Sequence, residues 1–416
     1  MLDKKINRNF SFLTLLNLIT MLFPILLYPI LIASIGLDKL GQVIFIQAIV
    51  AYFSVLVSYG FNITGTKLIS TNLDDKEEVR NIFWSIFFWK LSIFVILGII
   101  AVIFIPSNLT IIFYICYSYI LYDVFFPVWY YQGKQTMGKI TMFNALVKLI
   151  IFLMVVTLVK EKSDYYLYAI IVSLTPSIFS IVNFLLLVKK EELGIKLIHF
   201  NFFKDLIISS TPIFLSTVSS AIKDRTNVVM IGLFVGHGEV VIYDFVIKVI
   251  NILSGIFANL TNAQFPELSK KKNSVIRIFK NYMKVICVSN FIIVIFALLI
   301  VCNLELIVNA FNISNVYSSD VLLFKNITLI LLPVIFVRSI SYQVGLGVLI
   351  INGKDREYTL NLIMSTLIFI SINAILYFSE SVTTITLSIS LLLTVSIELV
   401  HRIYLCHRFK LINWLI

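Results

Sequence analysis

Seven basic side chains stand inside long apolar stretches of this 416-residue chain: Lys90, Lys148, Lys223, Arg225, Lys248, Lys325 and Arg338. Four acids share those stretches, Asp123, Asp224, Asp244 and Glu398, which leaves a surplus of three positive charges. A charge at the centre of a bilayer costs roughly 2.5–3.5 kcal/mol on insertion scales, so such groups face a wet cavity, an opposite charge or an anion. The chemistry that suits this pattern is anion binding. A guanidinium offers a planar fork matched to phosphate oxygens, and in low dielectric such pairs are strong.

Arg225 and Arg338 are the leading candidates for that role. Arg338 has no acid within a helical turn, and its guanidinium cannot be deprotonated. Lys223, Lys248, Lys148 and Lys90 complete the candidate cationic cavity. Simpler roles compete at each lysine. Lys90 and Lys148 lie near the inner ends of their stretches, where their stems can snorkel, as Lys325 can at the outer end. Asp244 and Lys248 are four residues apart and can neutralise each other on one helix face. Lys223, Asp224 and Arg225 are consecutive, about 100° apart around a helix, so they cannot all face one cavity. Lys223 and Arg225 are the better pair to point inward.

The elements that position these groups are transmembrane helices. Of the residues 59% are hydrophobic and 13% charged, with a mean hydropathy of +0.99; a soluble domain carries about 25% charged residues. A span needs about 20 apolar residues. Twelve segments qualify: 10–35, 40–60, 82–105, 109–131, 141–160, 165–188, 206–235, 240–262, 283–302, 321–351, 358–379 and 382–400. The first is too long for a signal-peptide core and no small-residue cleavage site follows it, so it is expected to remain as a helix. The runs are too long and too uniformly apolar for barrel strands.

The charge distribution orients the helices. With the N-terminus inside, the inner loops hold twenty-three Lys and Arg and the outer loops hold Lys39, Lys160 and Lys162. That asymmetry predicts both termini on the cytoplasmic side. The net charge of +11 is thereby explained without nucleic acid, for which no basic domain exists. No loop is long enough for a folded domain, so any function resides in the helices.

The linker 191–205 divides the chain into an N-terminal six-helix lobe, 1–190, and a C-terminal one, 206–416. The halves look related. Gly36, between the first and second helices, matches Gly236, between the seventh and eighth; Gln132-Gly133-Lys134 after the fourth matches Asn352-Gly353-Lys354 after the tenth. The expected fold is an all-α polytopic membrane protein: about twelve helices in two pseudo-symmetric six-helix bundles around a central cavity, the parallel repeat of many transporters.

Other chemistry is weakly encoded. The four cysteines form no CxxC and the four histidines lie in loops or the tail, so neither a metal site nor a cofactor is expected. No Walker loop, GxSxG or HExxH is present. Six prolines interrupt spans, Pro24, Pro29, Pro127, Pro176, Pro212 and Pro333, and each frees a carbonyl and bends its helix. Trp84, Trp89 and Trp129-Tyr130-Tyr131 are expected in an aromatic belt at the inner interface, with sugar stacking by Trp129 or Tyr131 as the alternative.

Two stretches carry a family resemblance. One runs from Pro29 to Ser70 with Gly36, Gly41, Tyr59-Gly60-Phe61-Asn62 and Gly65-Thr66-Lys67; the other is Pro127-Val128-Trp129-Tyr130-Tyr131-Gln132-Gly133-Lys134 followed by Met137. Pro212, Asp224-Arg225 and Glu239 to Tyr243 extend it, with Val241 where glycine is common. The chain thus resembles the O-antigen and capsular polysaccharide flippases, the lipid-linked oligosaccharide translocases of the multidrug/oligosaccharidyl-lipid/polysaccharide exporter superfamily. The resemblance implies a non-enzymatic transporter in the bacterial cytoplasmic (inner) membrane that moves undecaprenyl-pyrophosphate-linked repeat units outward by alternating access. It serves O-antigen, lipopolysaccharide or capsule assembly, beside membrane lipids and with a polymerase and chain-length regulator as partners. It also implies ion coupling, for which Asp123, Asp224 and Asp244 are the candidate acids. A multidrug exporter of the same superfamily would favour cavity acids over cations. A membrane-embedded polymerase or glycosyltransferase would bring a large outer loop or an acidic motif near the first one.

Overall fold

The computed structural model describes residue 23, residues 26–195 and 200–270, residues 284, 287–291, 294, 295 and 298, and residues 318–411. Pro24, the start of the 10–35 span, much of the 283–302 span, and Lys4, Lys5, Arg8, Lys196, Lys271, Lys272, Arg277 and Lys280 lie outside the described residues. Among the described residues all regular structure is helical: α1 (Leu26–Ile35), α2 (Leu37–Ser58), α3 (Phe61–Thr71), α4 (Lys76–Phe104), α5 (Thr110–Tyr117), α6 (Ile120–Phe125), α7 (Val128–Gly133), α8 (Met137–Leu158), α9 (Tyr165–Lys190), α10 (Phe200–Phe234), α11 (His237–Lys270), α12 (Ser318–Val344), α13 (Asp355–Phe378) and α14 (Thr384–Arg408). A short 3₁₀ turn precedes α9, and a π-helical stretch, Gly345–Ile350, follows α12.

Ten stretches of these helices are long and apolar enough to cross a bilayer. Each falls on one of the ten expected spans outside 10–35 and 283–302. Several helices run past their expected boundaries, placing loop residues such as Lys76, Arg80, Lys139 and Lys204 within them. The second span runs on to Thr71, so Lys67 lies in a helix rather than a loop. The last helix runs on to Arg408, so Arg402 lies within it. At the last helix packing satisfies the polar extension, since Arg402 is buried and bonded, whereas Lys67 is exposed.

The chain forms two compact units, Met1–Arg225 and Thr226–Ile416, and the boundary between them falls within α10. In the first unit the second span breaks at Tyr59 and Gly60, whose φ angles are 44° and 76°. Glycine suits that left-handed backbone, and its lack of a side chain admits Ile213 and Phe214 of α10 to about 3.0 Å from where a Cβ would stand. Past the break, α3 packs on α7. A Cβ on Gly133 would stand 2.6 Å from the Ile69 side chain, and one on Gly65 would stand 3.0 Å from Trp129. Thr66 donates to Gln132 Oε1 across the same contact, at 3.1 Å.

Aromatic packing holds this end of the unit together. Trp84, Trp129, Tyr130 and Tyr131 are buried, with Phe83 against Trp129 and Tyr130, and Phe184 stacked on Phe83 and Phe87. These four rings are core rather than the expected interfacial belt or, at Trp129 and Tyr131, a sugar-stacking surface, whereas Trp89 is half-buried. Trp84 donates its indole hydrogen to the Gly194 carbonyl at 3.0 Å, tying down the chain after α9. There Glu191 accepts from Lys134 and from the Tyr130 hydroxyl. Burial pushes the Glu191 carboxyl up, but Lys134, Tyr130 and Lys139 outweigh it and hold it below the usual carboxylate range.

One end of the second unit is held by an ion pair. Arg402 pairs with Glu398 one turn earlier on α14, at 2.6 Å. Its Nε donates to Asn361 on α13, its Nη1 to the Ser341 carbonyl and hydroxyl on α12, and its guanidinium lies 4.7 Å from the centre of the Tyr358 ring. Deeper in this unit Asn227 donates to the Tyr243 hydroxyl and to the Leu387 carbonyl, and accepts from Asn373.

Two outcomes follow from this packing. Gly133→Ala overpacks the α3–α7 contact and is expected to cost about 1–3 kcal/mol, read as a lower melting temperature of the purified protein in detergent. Arg402→Met leaves the Glu398 carboxylate buried without its guanidinium and is expected to cost about 3–5 kcal/mol. Adding Glu398→Gln should return part of that loss in the same melting measurement.

Candidate functional site

The sequence places its first-unit candidates on separate spans, and the fold gathers several of them around a broken helix. The fourth span, Thr110–Gly133, is divided into α5, α6 and α7. The first interruption lies at Ser118 and Tyr119, where Ser177 of α9 donates its hydroxyl to the Ser118 carbonyl at 2.7 Å. The second lies at Phe126 and Pro127, where the backbone leaves helical geometry. Non-helical backbone at membrane depth is tolerated only where protein or water satisfies it.

Asp123 sits on α6 between these interruptions. Its carboxylate accepts from the Ser54 hydroxyl on α2, and its backbone carbonyl accepts from Lys90 Nζ on α4 at 3.0 Å. Lys90 is 2% exposed, so in this conformation its ammonium addresses the break rather than an open space. The Tyr119 hydroxyl lies in the electrostatic field of both Asp123 and Arg225, which brings the half-buried Arg225 side chain to the same neighbourhood. Tyr122 donates to Asn144 on α8 at 3.2 Å. Lys148, one turn along α8, stands 5.0 Å from the centre of the Phe23 ring. Lys90, Asp123 and Arg225 therefore share one polar region within the first unit, with Lys148 a turn from Asn144 on its margin.

On α10 the three consecutive charges separate as their 100° spacing requires. Lys223 is buried, Arg225 is half-buried and Asp224 is exposed.

The second-unit candidates form a stripe. Asp244, Lys248 and Asn251 lie at i, i+4 and i+7 on α11, one helix face. Lys248 pairs with Asp244, and Arg338 of α12 donates from Nη1 to Asn251 Oδ1. Asp244 is buried, while Lys248 and Arg338 are half-buried. The i, i+4 pairing at Asp244 and Lys248 was readable from spacing; the Arg338–Asn251 contact, between residues far apart in the chain, was not. Lys325, also on α12, is exposed.

A separate apolar recess of about 750 Å³ lies on α12, lined by Leu329, Leu332, Pro333 and Phe336 with Val288 and Phe291 opposite. Phe336 and Arg338 are two positions apart, about 200° around the helix, so recess and charged stripe occupy different faces. Sequence reasoning missed two polar constellations: Asn227, Tyr243 and Asn373, and the ring of acceptors around Arg402. Isolated asparagines inside apolar runs were the available signal. Among the described residues no group of three or more His, Cys, Asp or Glu could hold a metal ion.

Comparison with known proteins agrees with this architecture. A putative O-antigen transporter of Escherichia coli (strain K12) is 25% identical over 377 residues, covering 87% of this chain and 88% of the relative. A putative O-antigen transporter of Shigella dysenteriae is 25% identical over 270 residues, 63% of this chain and 67% of the relative. In fold, the chain is similar to the lipid II flippase MurJ in an inward closed conformation, with a TM-score of 0.72 at 14% identity over 96% of this chain and 87% of that one. It is similar too to an inward-facing multidrug resistance MATE family transporter of the MOP superfamily, with a TM-score of 0.63 at 14% identity over 93% and 97%. These relatives are named as transporters and a flippase, not as enzymes. The family model for polysaccharide biosynthesis proteins matches residues 6–272, well over half of the chain, and this multi-pass membrane protein belongs to that family.

Proposed function

We propose that the protein flips a lipid-linked oligosaccharide, an undecaprenyl-pyrophosphate repeat unit, from the inner to the outer leaflet of the bacterial cytoplasmic membrane, for O-antigen or another surface polysaccharide. The observation that carries this reading is a transporter relative matched over most of both chains, joined to charged groups held within the membrane-spanning helices of both units. A pyrophosphate needs fixed positive charge when it leaves water, and guanidinium groups supply it with directional donors. In this reading Arg225 and Arg338 make the principal contacts, supported by Lys148, Lys223 and Lys248, with Lys90 acting from behind Asp123. The saccharide crosses in water inside the protein while the isoprenoid stays in hydrocarbon.

The remaining parts of the reading follow from the same logic. Two six-helix lobes, 1–190 and 206–416, joined by the cytoplasmic linker 191–205, alternate access around the cationic cavity, with both termini in the cytoplasm. Asp123, Asp224 and Asp244 are the acids for ion coupling. The reading is supported by Asp123 sharing its neighbourhood with Lys90 and Arg225 and by Asp244 pairing with Lys248: a change in the charge of either acid would alter its neighbouring cation. A polymerase and a chain-length regulator act on the delivered unit.

Deleting the gene is expected to abolish surface polysaccharide while the lipid-linked unit accumulates on the inner leaflet, measured by extraction and lectin labelling of inverted vesicles. Normal surface polysaccharide in a strain without a second translocase would contradict the assignment. Arg225→Gln and Arg338→Gln are each expected to lower complementation at least tenfold, about 1.4 kcal/mol in binding terms, at wild-type levels of inserted protein. Full complementation by both variants would remove the cationic cavity from the account.

A further inference from the structure

The two units treat the same member of their helix sets alike. In the first, the fourth span breaks at Phe126 and Pro127 shortly before Gly133-Lys134. In the second, α12 loosens into a π-helical stretch shortly before Gly353-Lys354. A buried cation from a different helix meets the backbone just ahead of each irregularity. Lys90 of α4 donates to the Asp123 carbonyl at 3.0 Å, and Arg402 of α14 donates to the Ser341 carbonyl at 2.7 Å. Both cations are 2% exposed. Each also has a carboxylate at hand, that of Asp123 in one unit and that of Glu398 in the other.

At Lys90 the chemical reason is explicit. A proline has no amide hydrogen, so the carbonyl four residues before it loses its helical donor. Four residues before Pro127 is Asp123, and its carbonyl is the acceptor that Lys90 reaches. The backbone at the break is far from helical, with φ −103° and ψ 95° at Phe126 and φ −78° and ψ 74° at Pro127, so α7 has no geometry from which to supply a substitute. In hydrocarbon no water serves either. An ammonium on a long apolar stem is suited to the task. Its four methylenes pack among buried neighbours while three donors sit at the tip.

We propose that Lys90 is a positioning residue. Its ammonium stands in for the amide hydrogen that Pro127 lacks, and so holds the fourth span in its broken form with the Asp123 carboxylate turned toward Ser54. Cargo does not touch it. The proposal rests on the transport reading only for its functional consequence; the structural role stands apart from any cargo.

The test uses full-length protein purified in detergent, with the same variants expressed in a deletion strain. Lys90→Met keeps the stem and removes the donor, whereas Pro127→Ala returns the amide hydrogen. Lys90→Met is expected to melt lower, on the order of 5 °C, and to restore little surface polysaccharide. Lys90→Met with Pro127→Ala is expected to recover most of the lost melting temperature. An apolar carbodiimide, mapped by mass spectrometry, should label Asp123 in Lys90→Met and leave it unlabelled in the wild type. If Lys90→Met fails to accumulate, Pro127→Ala is compared with the double variant, and equal melting temperatures are expected. A double variant as unstable as Lys90→Met, a Lys90→Met protein that melts like the wild type, or unchanged labelling of Asp123 would each overturn the proposal. Melting and labelling require no cargo, so they decide the role of Lys90 even if the wild-type chain fails to restore polysaccharide, the outcome that would instead defeat the flippase reading.

Discussion

A polar group in hydrocarbon finds no water, so the protein itself must supply every partner that a charge or a freed carbonyl needs. That constraint organises the molecule described here. The fourth span is broken, and each break is met by a donor from a neighbouring helix, Ser177 at Ser118 and Lys90 at Asp123. Arg402 draws three helices of the second unit together because a guanidinium so deeply buried needs acceptors on several sides. Asparagine 227 does the same with neutral dipoles. The lattice of satisfied groups is what allows a chain with so many charges to remain in the membrane.

The same constraint separates two kinds of cation that a sequence cannot tell apart. Lys90 and Arg402 are fully buried and bonded to backbone carbonyls; they belong to the scaffold. Arg225, Lys148, Lys248 and Arg338 keep part of their surface open. Groups of the second kind can trade a protein partner for the phosphate oxygens of a cargo without leaving a broken helix behind. The first unit contributes rigidity of another sort: Gly65 and Gly133 let α3 and α7 approach closely, and buried aromatic rings fill the space around them.

Much of this was legible in the residues. Hydropathy placed ten spans because a helix crossing hydrocarbon needs a long apolar run, and the glycine turns at Gly36 and Gly236 fell between helices as expected. Pro127 announced an interruption. What the sequence could not convey was the partner across space. The thirty-three residues from Lys90 to Asp123 hide a direct bond, and periodicity along one helix names a face without naming what faces it. Arg402 was misplaced in a loop because the apolar run ends before the helix does. Trp129 and Tyr131 were misplaced at the interface because an amphipathic ring suits either a belt or a core, and the close approach permitted by Gly65 and Gly133, which selects the core, is a tertiary fact.

The account stands or falls on movement of an anionic, sugar-bearing lipid through this chain. The most direct measurement reconstitutes the purified protein in liposomes carrying a polyprenyl-pyrophosphate oligosaccharide and follows, over time, the fraction of sugar that an external lectin can reach. The account predicts that the protein raises the rate of appearance well above that of protein-free vesicles, and that the same lipid bearing an uncharged link in place of the pyrophosphate crosses far more slowly. Equal rates with and without protein, or indifference to the charge of the link, would contradict it.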